Sequence, residues 1–370
     1  MVAVVQVLDS LDPGGAERHV VDLACALARR GHRVDVAASA AGPLAAELRR
    51  AGVRWHVVAP ERVTRRPCPQ FADGLAELLG QVRPDVVHAH MHAATLAAAR
   101  AVPRGTALVV TEHTEAPWRT AADRAHARTA LRRAGLVLAV SRPVAARLSE
   151  QYRLPEGAVR VVVPAVTHGP SHGAAPPSWR GRPVIGRVCR LQPDKGVDVF
   201  LQAAALLAPR LPTALFPVIG EGPAAERLHG LARWLGLDGR VLWLGYRPDA
   251  RTLLTWMDVL AVTSWTEGDP MVVLEAFTAG VPVVGAAVGG VPDQVRSGRN
   301  GLLVPPGDAA SLARALHAVV TRPVLGRRLR EGALRRAAAL SFDAMVDAVE
   351  ETYRDVLAPL GAARAARAGA

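Results

Sequence analysis

Cysteine is scarce in this chain of 370 residues. Its three cysteines, Cys25, Cys68 and Cys189, show neither the paired spacing of a disulfide framework nor that of a zinc ribbon. Aromatic residues make up only 4% of the chain and form no platform for stacking nucleic-acid bases. A Gly-x-x-x-x-Gly-Lys-Ser/Thr phosphate loop and a nucleophile elbow are also absent. These absences argue against a disulfide-stabilised secreted domain, a nucleic-acid partner and a serine hydrolase.

The sequence also lacks a recognisable signal peptide or membrane span. The apolar run 2–8 is short, has no basic residues before it and contains Gln6. The longest apolar stretch, 271–292, is interrupted by Glu275 and by several glycines and prolines, so it predicts a buried helix followed by a buried strand. We therefore expect a cytoplasmic protein, and peripheral contact with the inner face of the membrane stays open.

Apolar residues, by contrast, are abundant. They make up 50% of the chain and charged residues 21%, which excludes a disordered chain. The length predicts about two domains, each with its own core. The formal net charge of +12 comes mostly from arginine and is weak evidence for an anionic partner such as a nucleotide or a lipid headgroup.

Short β-rich runs alternate with stretches of helical periodicity along most of the chain. The first series of predicted strands covers residues 3–8, 33–38, 54–58, 85–90, 107–111, 136–140 and 159–163. After a segment rich in glycine and proline, a second series covers 184–188, 215–220, 241–245, 259–263, 283–287 and 302–305. Continuous apolar strands separated by helices indicate parallel sheets covered on both faces. We therefore expect an α/β fold with two doubly wound, Rossmann-like domains.

The composition also predicts the domain boundaries. The N-terminal domain is expected at 1–167, a linker at 168–183 and the C-terminal domain at 184–340. A C-terminal helix at 341–360 is expected to return to the N-terminal domain, and 361–370 to be a disordered tail. Ligands of doubly wound sheets bind at the carboxyl ends of the strands, so the two domains are expected to face a central cleft.

The run 189–196, Cys-Arg-Leu-Gln-Pro-Asp-Lys-Gly, follows a predicted strand and opens a predicted helix. Arg190 and Lys195 bracket the turn, and the first amides of the helix point into the same space. Two cations and a helix N-terminus can bind a diphosphate without a metal ion. The alternative is an ordinary exposed loop that carries surface charges.

Two glutamates stand eight positions apart in the run Glu267-Gly-Asp-Pro-Met-Val-Val-Leu-Glu275. Glu275 falls on a predicted buried helix, where a carboxylate can accept hydrogen bonds from both ribose hydroxyls. Glu267 falls in the preceding loop, where it and the amides around 269–271 can reach a phosphate or a sugar. The alternative for Glu275 is a salt-bridged helix residue. Its apolar neighbours predict burial, and we expect a ligand rather than an ion pair to compensate its charge.

Gly14 and Gly15 follow the first strand and precede a helix, which allows close approach of the backbone to a ligand. The third glycine of a dinucleotide fingerprint is missing, and a plain turn would use the same residues.

Four histidines fall at or near predicted strand ends. His88, His90 and His92 alternate and would share one face of a continuous strand. No carboxylate or cysteine follows at a suitable spacing for a metal site, so we expect a polar cluster that lines the cleft rather than a metal site. His113 follows a strand, at the edge where such folds keep their chemistry.

Together these residues resemble the retaining glycosyltransferases of family 4, also called glycosyl transferases group 1, which have the GT-B fold. The resemblance rests on Gly-Gly-Ala-Glu at 14–17, Asp-Val-Val-His-Ala-His at 85–90, the serine at 141, Arg-Leu with Lys-Gly in 190–196, Gly-Glu-Gly-Pro at 220–223, the two glutamates, and the runs 289–292 and 301–308. It covers most of the chain. It implies an N-terminal domain that binds the acceptor and a C-terminal domain that binds the nucleotide sugar.

The resemblance also implies roles for individual residues. It implies catalytic roles for His113, Glu267, Arg190 and Lys195. The implied donor-binding residues are Gly15, Arg190, Lys195, Glu267, Gly268, Pro270, Met271, Val272 and Glu275. The implied acceptor-binding residues are Gly14, Gly15, His90 and His113. By position, the two cations would hold the diphosphate, Glu275 the ribose, and Glu267 and His113 the transferred sugar.

The chain departs from the family pattern at two places. Pro-Ala-Val-Thr stands at 164–167 where the family often has Pro-Asn-Gly-Val-Asp, and Asp293 replaces a glutamate in the loop after Gly-Gly. Any role of that asparagine is therefore absent here, and the aspartate has a shorter reach. Neither departure touches the residues implied to hold the diphosphate or the ribose.

The resemblance implies an enzyme of the EC 2.4 class that moves a sugar from a nucleoside-diphosphate sugar to an acceptor hydroxyl with retention of configuration. UDP-sugars are slightly favoured over GDP-sugars, neither a metal ion nor a cofactor is implied, and the acceptor is unknown. Two alternatives use the same nucleotide pocket: a GT-B-fold nucleotide-sugar epimerase and a non-catalytic nucleotide-sugar-binding partner protein.

Overall fold

The computed structural model describes residues 1–63, 65–114, 116, 118–167, 174 and 176–368. It divides into two compact units. The N-terminal unit comprises Met1–Ala165 and Phe342–Ala370, and the C-terminal unit comprises Val166–Ser341. The predicted linker, 168–183, lies partly outside the described residues, since 168–173 and 175 are not among them.

The N-terminal unit is built on a seven-stranded parallel sheet with the order β3-β2-β1-β4-β5-β6-β7. Its strands are β1 (Ala3–Leu8), β2 (Arg33–Ala38), β3 (Arg54–Val57), β4 (Val86–His90), β5 (Ala107–Glu112), β6 (Leu136–Ala139) and β7 (Val159–Val161). Its connecting helices are α1 (Gly15–Arg29), α2 (Ala45–Arg50), α3 (Pro69–Val82), α4 (His92–Ala101), α5 (Ala121–Arg133) and α6 (Arg142–Tyr152).

The C-terminal unit repeats this plan with a six-stranded parallel sheet in the order β10-β9-β8-β11-β12-β13. Its strands are β8 (Ile185–Val188), β9 (Phe216–Ile219), β10 (Val241–Trp243), β11 (Val259–Val262), β12 (Val283–Ala286) and β13 (Gly301–Val304). Its helices are α7 (Val197–Leu207), α8 (Ala225–Trp234), α9 (Ala250–Leu254), α10 (Met271–Thr278), α11 (Val291–Gln294), α12 (Ala309–Thr321) and α13 (Pro323–Ala338).

The last helix, α14 (Phe342–Ala368), belongs to the N-terminal unit and packs on β5. None of the helices in the described part of the chain has the length and apolarity needed to cross a membrane.

Each sheet is covered on both faces because its strands are apolar on both faces. In β1, Val4 and Leu8 pack in the cluster that contains α1 and α14, while Val5 and Val7 pack in the cluster that contains α3 and α4. Alternate residues of a strand point to opposite faces, so a strand buried on both sides reads as a continuous apolar run. The predicted fold class, two doubly wound parallel-sheet domains, is confirmed.

Candidate active site

Each sheet has a switch point, where consecutive connections depart to opposite sides and the loops at the carboxyl ends diverge. In the C-terminal unit this point lies between β8 and β11, which pair in parallel. The loop after β8 carries the predicted diphosphate residues, and the loop after β11 carries Glu267. Adjacent parallel strands therefore explain why two motifs some seventy positions apart in the sequence lie side by side.

The loop after β8 turns sharply into α7. A single 3-10 turn, Pro193–Lys195, ends at Gly196, which has φ +57 and is the N-cap of α7. A side chain on Gly196 would collide with the carbonyl oxygen of Thr263 in the neighbouring loop. Glycine is needed here both for its left-handed backbone conformation and for the close contact between the two loops.

A closed ring of hydrogen bonds joins the two loops. Lys195 Nζ donates to Glu267 Oε1 at 2.9 Å, and Ser264 Oγ donates to the same oxygen at 2.6 Å. The Arg187 guanidinium closes the ring, because one of its terminal nitrogens donates to the Lys195 carbonyl at 2.9 Å and to Ser264 Oγ at 3.1 Å. Lys195 and Glu267 are mostly buried, with side chains 20% and 13% exposed. Their positions are therefore fixed relative to each other.

Arg187 was not predicted from the sequence. It lies on β8, is only 1% exposed, and has no described carboxylate within salt-bridge distance. Its other terminal nitrogen donates to the Ala261 carbonyl at 3.3 Å, and its Nε has no hydrogen-bond partner among the described residues. An arginine inside an otherwise apolar strand was the available signal, since a buried charge needs polar partners.

Arg190 differs from Lys195 in its surroundings. It is exposed and forms no ion pair with any residue that the structure describes. The structure thus provides one cation held by Glu267 and one exposed guanidinium on the same loop.

The remaining residues of the two-glutamate motif lie in the loop after β11 and the first turn of α10. Gly268 and Pro270 are buried in the loop, and Met271 and Val272 begin the helix. Asp269 lies between Gly268 and Pro270, and burial raises the pKa of its carboxyl group well above the usual range.

The expectation that Glu275 lacks an ion-pair partner is wrong. Glu275 Oε1 accepts a hydrogen bond from Arg251 Nε of α9 at 2.9 Å. Its side chain is 15% exposed, because it lies on the flank of α10 that faces α9 rather than in the apolar core. The apolar character of α10 could be predicted from its own residues, whereas the arginine that pairs with Glu275 could not.

In the N-terminal unit the switch point lies between β1 and β4. Gly14 is the N-cap of α1, and Gly15 begins that helix in the loop after β1. A side chain on Gly14 would meet the carboxylate of Glu17, which lies against this turn.

The histidines only partly follow the predicted arrangement. His88 and His90 share a face of β4, with ring centroids 4.1 Å apart. His92 does not share it, because Met91 adopts φ +68, ends the strand and starts α4. The strand is not continuous through Met91, so only His88 and His90 share a strand face and His92 begins the next helix.

His92 instead joins a second buried cluster that was not predicted. Its Nδ1 accepts a hydrogen bond from Arg119 Nε at 3.1 Å. Arg119 also donates to Tyr152 Oη at 2.9 Å and forms an ion pair with Glu112 at 2.8 Å. Burial lowers the pKa of His92 to about 4.

His113 follows β5 directly and is half-buried. Its Nε2 lies 3.1 Å from His90 Nδ1, and the His19 ring of α1 stands edge-on to it at 5.5 Å between centroids. Burial lowers the pKa of His113 and of His90 well below the usual range, and that of His19 to about 4. These three rings are therefore neutral at physiological pH. His90 and His113 are hydrogen-bonded, whereas Nδ1 of His19 has no hydrogen-bond partner among the described residues. Within the described residues, no group of three or more His, Cys, Asp or Glu side chains could hold a metal ion.

Two family models match the chain. The model described as "Glycosyltransferase Family 4" matches residues 13–168, and the model described as "Glycosyl transferases group 1" matches residues 182–322. Between them they span both units.

Curated relatives match over most of their length. A D-inositol 3-phosphate glycosyltransferase from Streptomyces scabiei is 31% identical over 92% of this chain and 86% of its own length. The protein of the same name from Saccharomonospora viridis is 32% identical over 94% of this chain and 90% of its own length.

Solved structures share the fold. Anabaena HepE in complex with UDP and glucose superposes with a TM-score of 0.84 and 23% identity, over 95% of this chain and 99% of that one. WaaG, described as a glycosyltransferase involved in lipopolysaccharide biosynthesis, superposes with a TM-score of 0.74 and 19% identity, over 96% of this chain and 100% of that one.

Proposed function

Because the chain belongs to glycosyltransferase family 4, glycosyl transferases group 1, and is thus a glycosyltransferase of the EC 2.4 class, we propose that it takes its sugar from a nucleoside-diphosphate sugar. In this proposal the acceptor is a hydroxyl group, the anomeric configuration is retained, and no metal ion takes part. The hydrogen-bonded ring that joins the loops after β8 and β11 is the observation that supports it best.

The diphosphate binds, in this proposal, at the switch point of the C-terminal unit. Lys195 supplies a cation whose position Glu267 fixes, and Arg190 supplies an exposed guanidinium that can form a bidentate pair with phosphate. The N-terminus of α7, an eleven-residue helix, adds unpaired amides and the positive end of the helix dipole. These groups neutralise a diphosphate without a divalent ion.

The ribose binds at Glu275. Its Oε1 is held by Arg251, which leaves Oε2 to accept a hydrogen bond from a ribose hydroxyl. The ion pair therefore orients the carboxylate for the ligand. Crystal structures of the similar Anabaena HepE with UDP and with UDP-glucose support uridine as the nucleoside.

Catalysis follows from the charge that develops as the sugar departs. The bond between the anomeric carbon and the phosphate oxygen breaks, and negative charge accumulates on the diphosphate. Lys195 and Arg190 stabilise that charge in the transition state. Retention is proposed through a front-face route, in which the leaving phosphate accepts the proton of the attacking hydroxyl, by analogy with the family.

The first experiment measures release of UDP from UDP-glucose in Arg190→Ala and Lys195→Ala variants. Each should lower kcat/KM roughly 30- to 1,000-fold, the effect of about 2–4 kcal/mol of lost transition-state stabilisation. Arg330→Ala, which removes an exposed arginine of α13, is the matched control and should retain full activity. Normal turnover in both loop variants would remove the diphosphate assignment.

The second experiment repeats the assay with excess chelator. Activity should persist, because side chains and a helix terminus supply the positive charge. Loss of activity that a divalent ion restores would refute the metal-independent mechanism. Formation of a new nucleotide sugar without any acceptor would point to an epimerase instead.

A further inference from the structure

Arginine side chains line a cavity of the C-terminal unit, between α13 and the loop that joins α11 to β13. The cavity has a volume of about 510 Å³. Five arginines line it: Arg296 and Arg299 of the loop, and Arg328, Arg335 and Arg336 of α13. Its described lining contains no aspartate or glutamate. We call it the arginine cavity, and all of its lining residues belong to one compact unit.

The arginine cavity differs in position from the predicted diphosphate site. Lys195 and Glu267 lie in the loops that follow β8 and β11, whereas Arg299 lies just before the start of β13. The strands of this sheet run in the same direction, so the start of β13 and the ends of β8 and β11 lie at opposite edges. The residues proposed above for the diphosphate and the ribose are not among those that line the cavity.

Local packing fixes the backbone that carries these arginines. Asn300 is buried, its Oδ1 accepts a hydrogen bond from the Arg296 amide at 2.7 Å, and its Nδ2 donates to the Gln294 carbonyl at 3.0 Å. Gly332 of α13 packs directly on the same loop, because a Cβ at this position would collide with the carbonyl oxygen of Arg299. The loop and the helix therefore hold their arginines at a constant separation.

The protein itself provides little negative charge to balance these arginines. Arg296, Arg299 and Arg328 form no ion pair with any residue that the structure describes. Arg335 pairs with Glu331 at 3.7 Å, but both side chains are more than half exposed, so the pair contributes little. Like charges on one concave surface repel each other and create a field that attracts anions.

The helix dipole explains only part of this cluster. Arg335 and Arg336 lie in the last turn of α13, where a cation interacts favourably with the dipole. Arg328 lies in the first half of that helix and two further arginines lie in the loop, so the dipole does not account for these three. One terminal nitrogen of Arg336 donates to the Asp293 carbonyl at 3.5 Å, a long contact that leaves most of the guanidinium donors for another acceptor.

We propose that the arginine cavity binds an anion with two or more phosphate groups, at a site separate from that of the donor diphosphate. Each guanidinium can form a bidentate pair with a phosphate group. Arginines on both walls together can contact more than one phosphate, and the volume falls within the range of small-molecule sites. A soluble metabolite and a lipid headgroup both supply such phosphates. This site is independent of the donor proposed above.

The first test is calorimetry of the full-length protein with inorganic tripolyphosphate at about 0.15 M salt, where exposed charges more than about 8 Å apart are largely screened. A double variant with Arg299→Ala and Arg328→Ala removes one arginine from each wall. It should weaken binding at this site roughly 10- to 100-fold, because charge-assisted hydrogen bonds are lost. Both side chains are exposed, so the fold should persist. Unchanged affinity in this double variant would overturn the proposal.

The matched control is a double variant with Arg327→Ala and Arg330→Ala. These arginines are exposed on the same helix but do not line the cavity, and their removal changes the net charge by the same amount. The control should bind tripolyphosphate as the wild type does. An equal loss of affinity in both double variants would show a diffuse attraction to a basic surface and would overturn the site.

Tripolyphosphate can also occupy the proposed diphosphate site, and Lys195→Ala separates the two sites. This variant should leave the affinity of the arginine cavity unchanged, and loss of all binding in it would overturn the proposal. If the proposed donor is wrong, Lys195→Ala should match the wild type throughout, while the two double variants still decide whether the cavity is a site.

Vesicles distinguish the two sources of phosphate. Sedimentation compares phosphatidylcholine vesicles with and without cardiolipin, a lipid that carries two phosphate groups. Retention of the wild type by cardiolipin vesicles, lost in the Arg299→Ala and Arg328→Ala variant, would assign the anion to a lipid headgroup. Binding of tripolyphosphate at the cavity without retention by vesicles would assign it to a soluble phosphate. A wild-type chain that binds neither tripolyphosphate nor cardiolipin vesicles would overturn the proposal.

Discussion

Replacing Asp9 with asparagine should remove the contribution of this carboxyl group to the pH dependence of unfolding between about pH 4 and pH 7. Asp9 lies just after β1, is 8% exposed, and its Oδ1 accepts a hydrogen bond from the Ala94 amide of α4 at 2.9 Å. Burial, and to a lesser degree repulsion from Glu17, raise its pKa from 3.8 to about 7. Asparagine keeps the accepting oxygen and cannot ionise.

The sign and size of the effect follow from the two pKa values. The raised pKa in the folded state means that the stabilising contribution is complete below pH 3.8 and is lost as the pH rises through about 7. A shift of about three units corresponds to a loss on the order of 4 kcal/mol. The free energy of unfolding of the Asp9→Asn variant, measured relative to that of the wild type, should therefore rise by about this amount across this range.

The assay is urea denaturation of both proteins at about pH 4 and about pH 8, followed by a probe in the N-terminal unit. The variant should have nearly the wild-type free energy of unfolding in acid and a higher one in base. Asp73→Asn, which changes an exposed carboxylate on α3, is the matched control and should leave the pH dependence intact. An Asp9→Asn variant that is destabilised by the same amount at both pH values would refute the reasoning.

The remaining predictions concern the C-terminal unit. Glu275→Gln should weaken the binding of UDP, because Glu275 is proposed to bind the ribose, which does not react, whereas Glu267→Gln should lower turnover more than it lowers UDP affinity. Calorimetry of UDP binding and a turnover assay on both variants test this, and the reverse pattern would exchange the two roles. Gly196→Ala should cost about 1–3 kcal/mol in urea denaturation, from the strained backbone and the contact with Thr263. Gly230→Ala on α8, where no atom lies within 4 Å of an added Cβ, should instead stabilise the protein by about 0.5–1 kcal/mol. Equal changes in the free energy of unfolding for the two glycine variants would refute the strain argument.

The strands could be predicted because each carries its own signal. All thirteen observed strands lie within or beside the predicted ranges, since a parallel strand buried on both faces is a continuous apolar run. The buried helix and strand predicted in 271–292 are α10 and β12. The local sequence pattern was sufficient to predict the strands because the apolar run that marks a buried strand lies within the strand itself.

The partners of polar side chains could not be predicted in this way. Gln6 and Tyr353 are 347 positions apart and meet only because α14 returns to the first sheet. Arg251 lies 24 positions before Glu275, and its contact depends on how α9 packs beside α10. Polar residues inside apolar strands, such as Gln6 and Arg187, signalled that partners exist without indicating which ones.

The burial of Arg187 also affects how the loops after β8 and β11 respond to ionic strength. Dissolved ions approach an exposed charge such as Arg190 and screen it within about 10 Å at 0.1 M salt. They cannot approach Arg187, which is 1% exposed and is itself part of the hydrogen-bonded ring that contains Lys195 and Glu267. Salt therefore weakens the attraction that Arg190 exerts on an anion, while the contribution of Arg187 is screened much less.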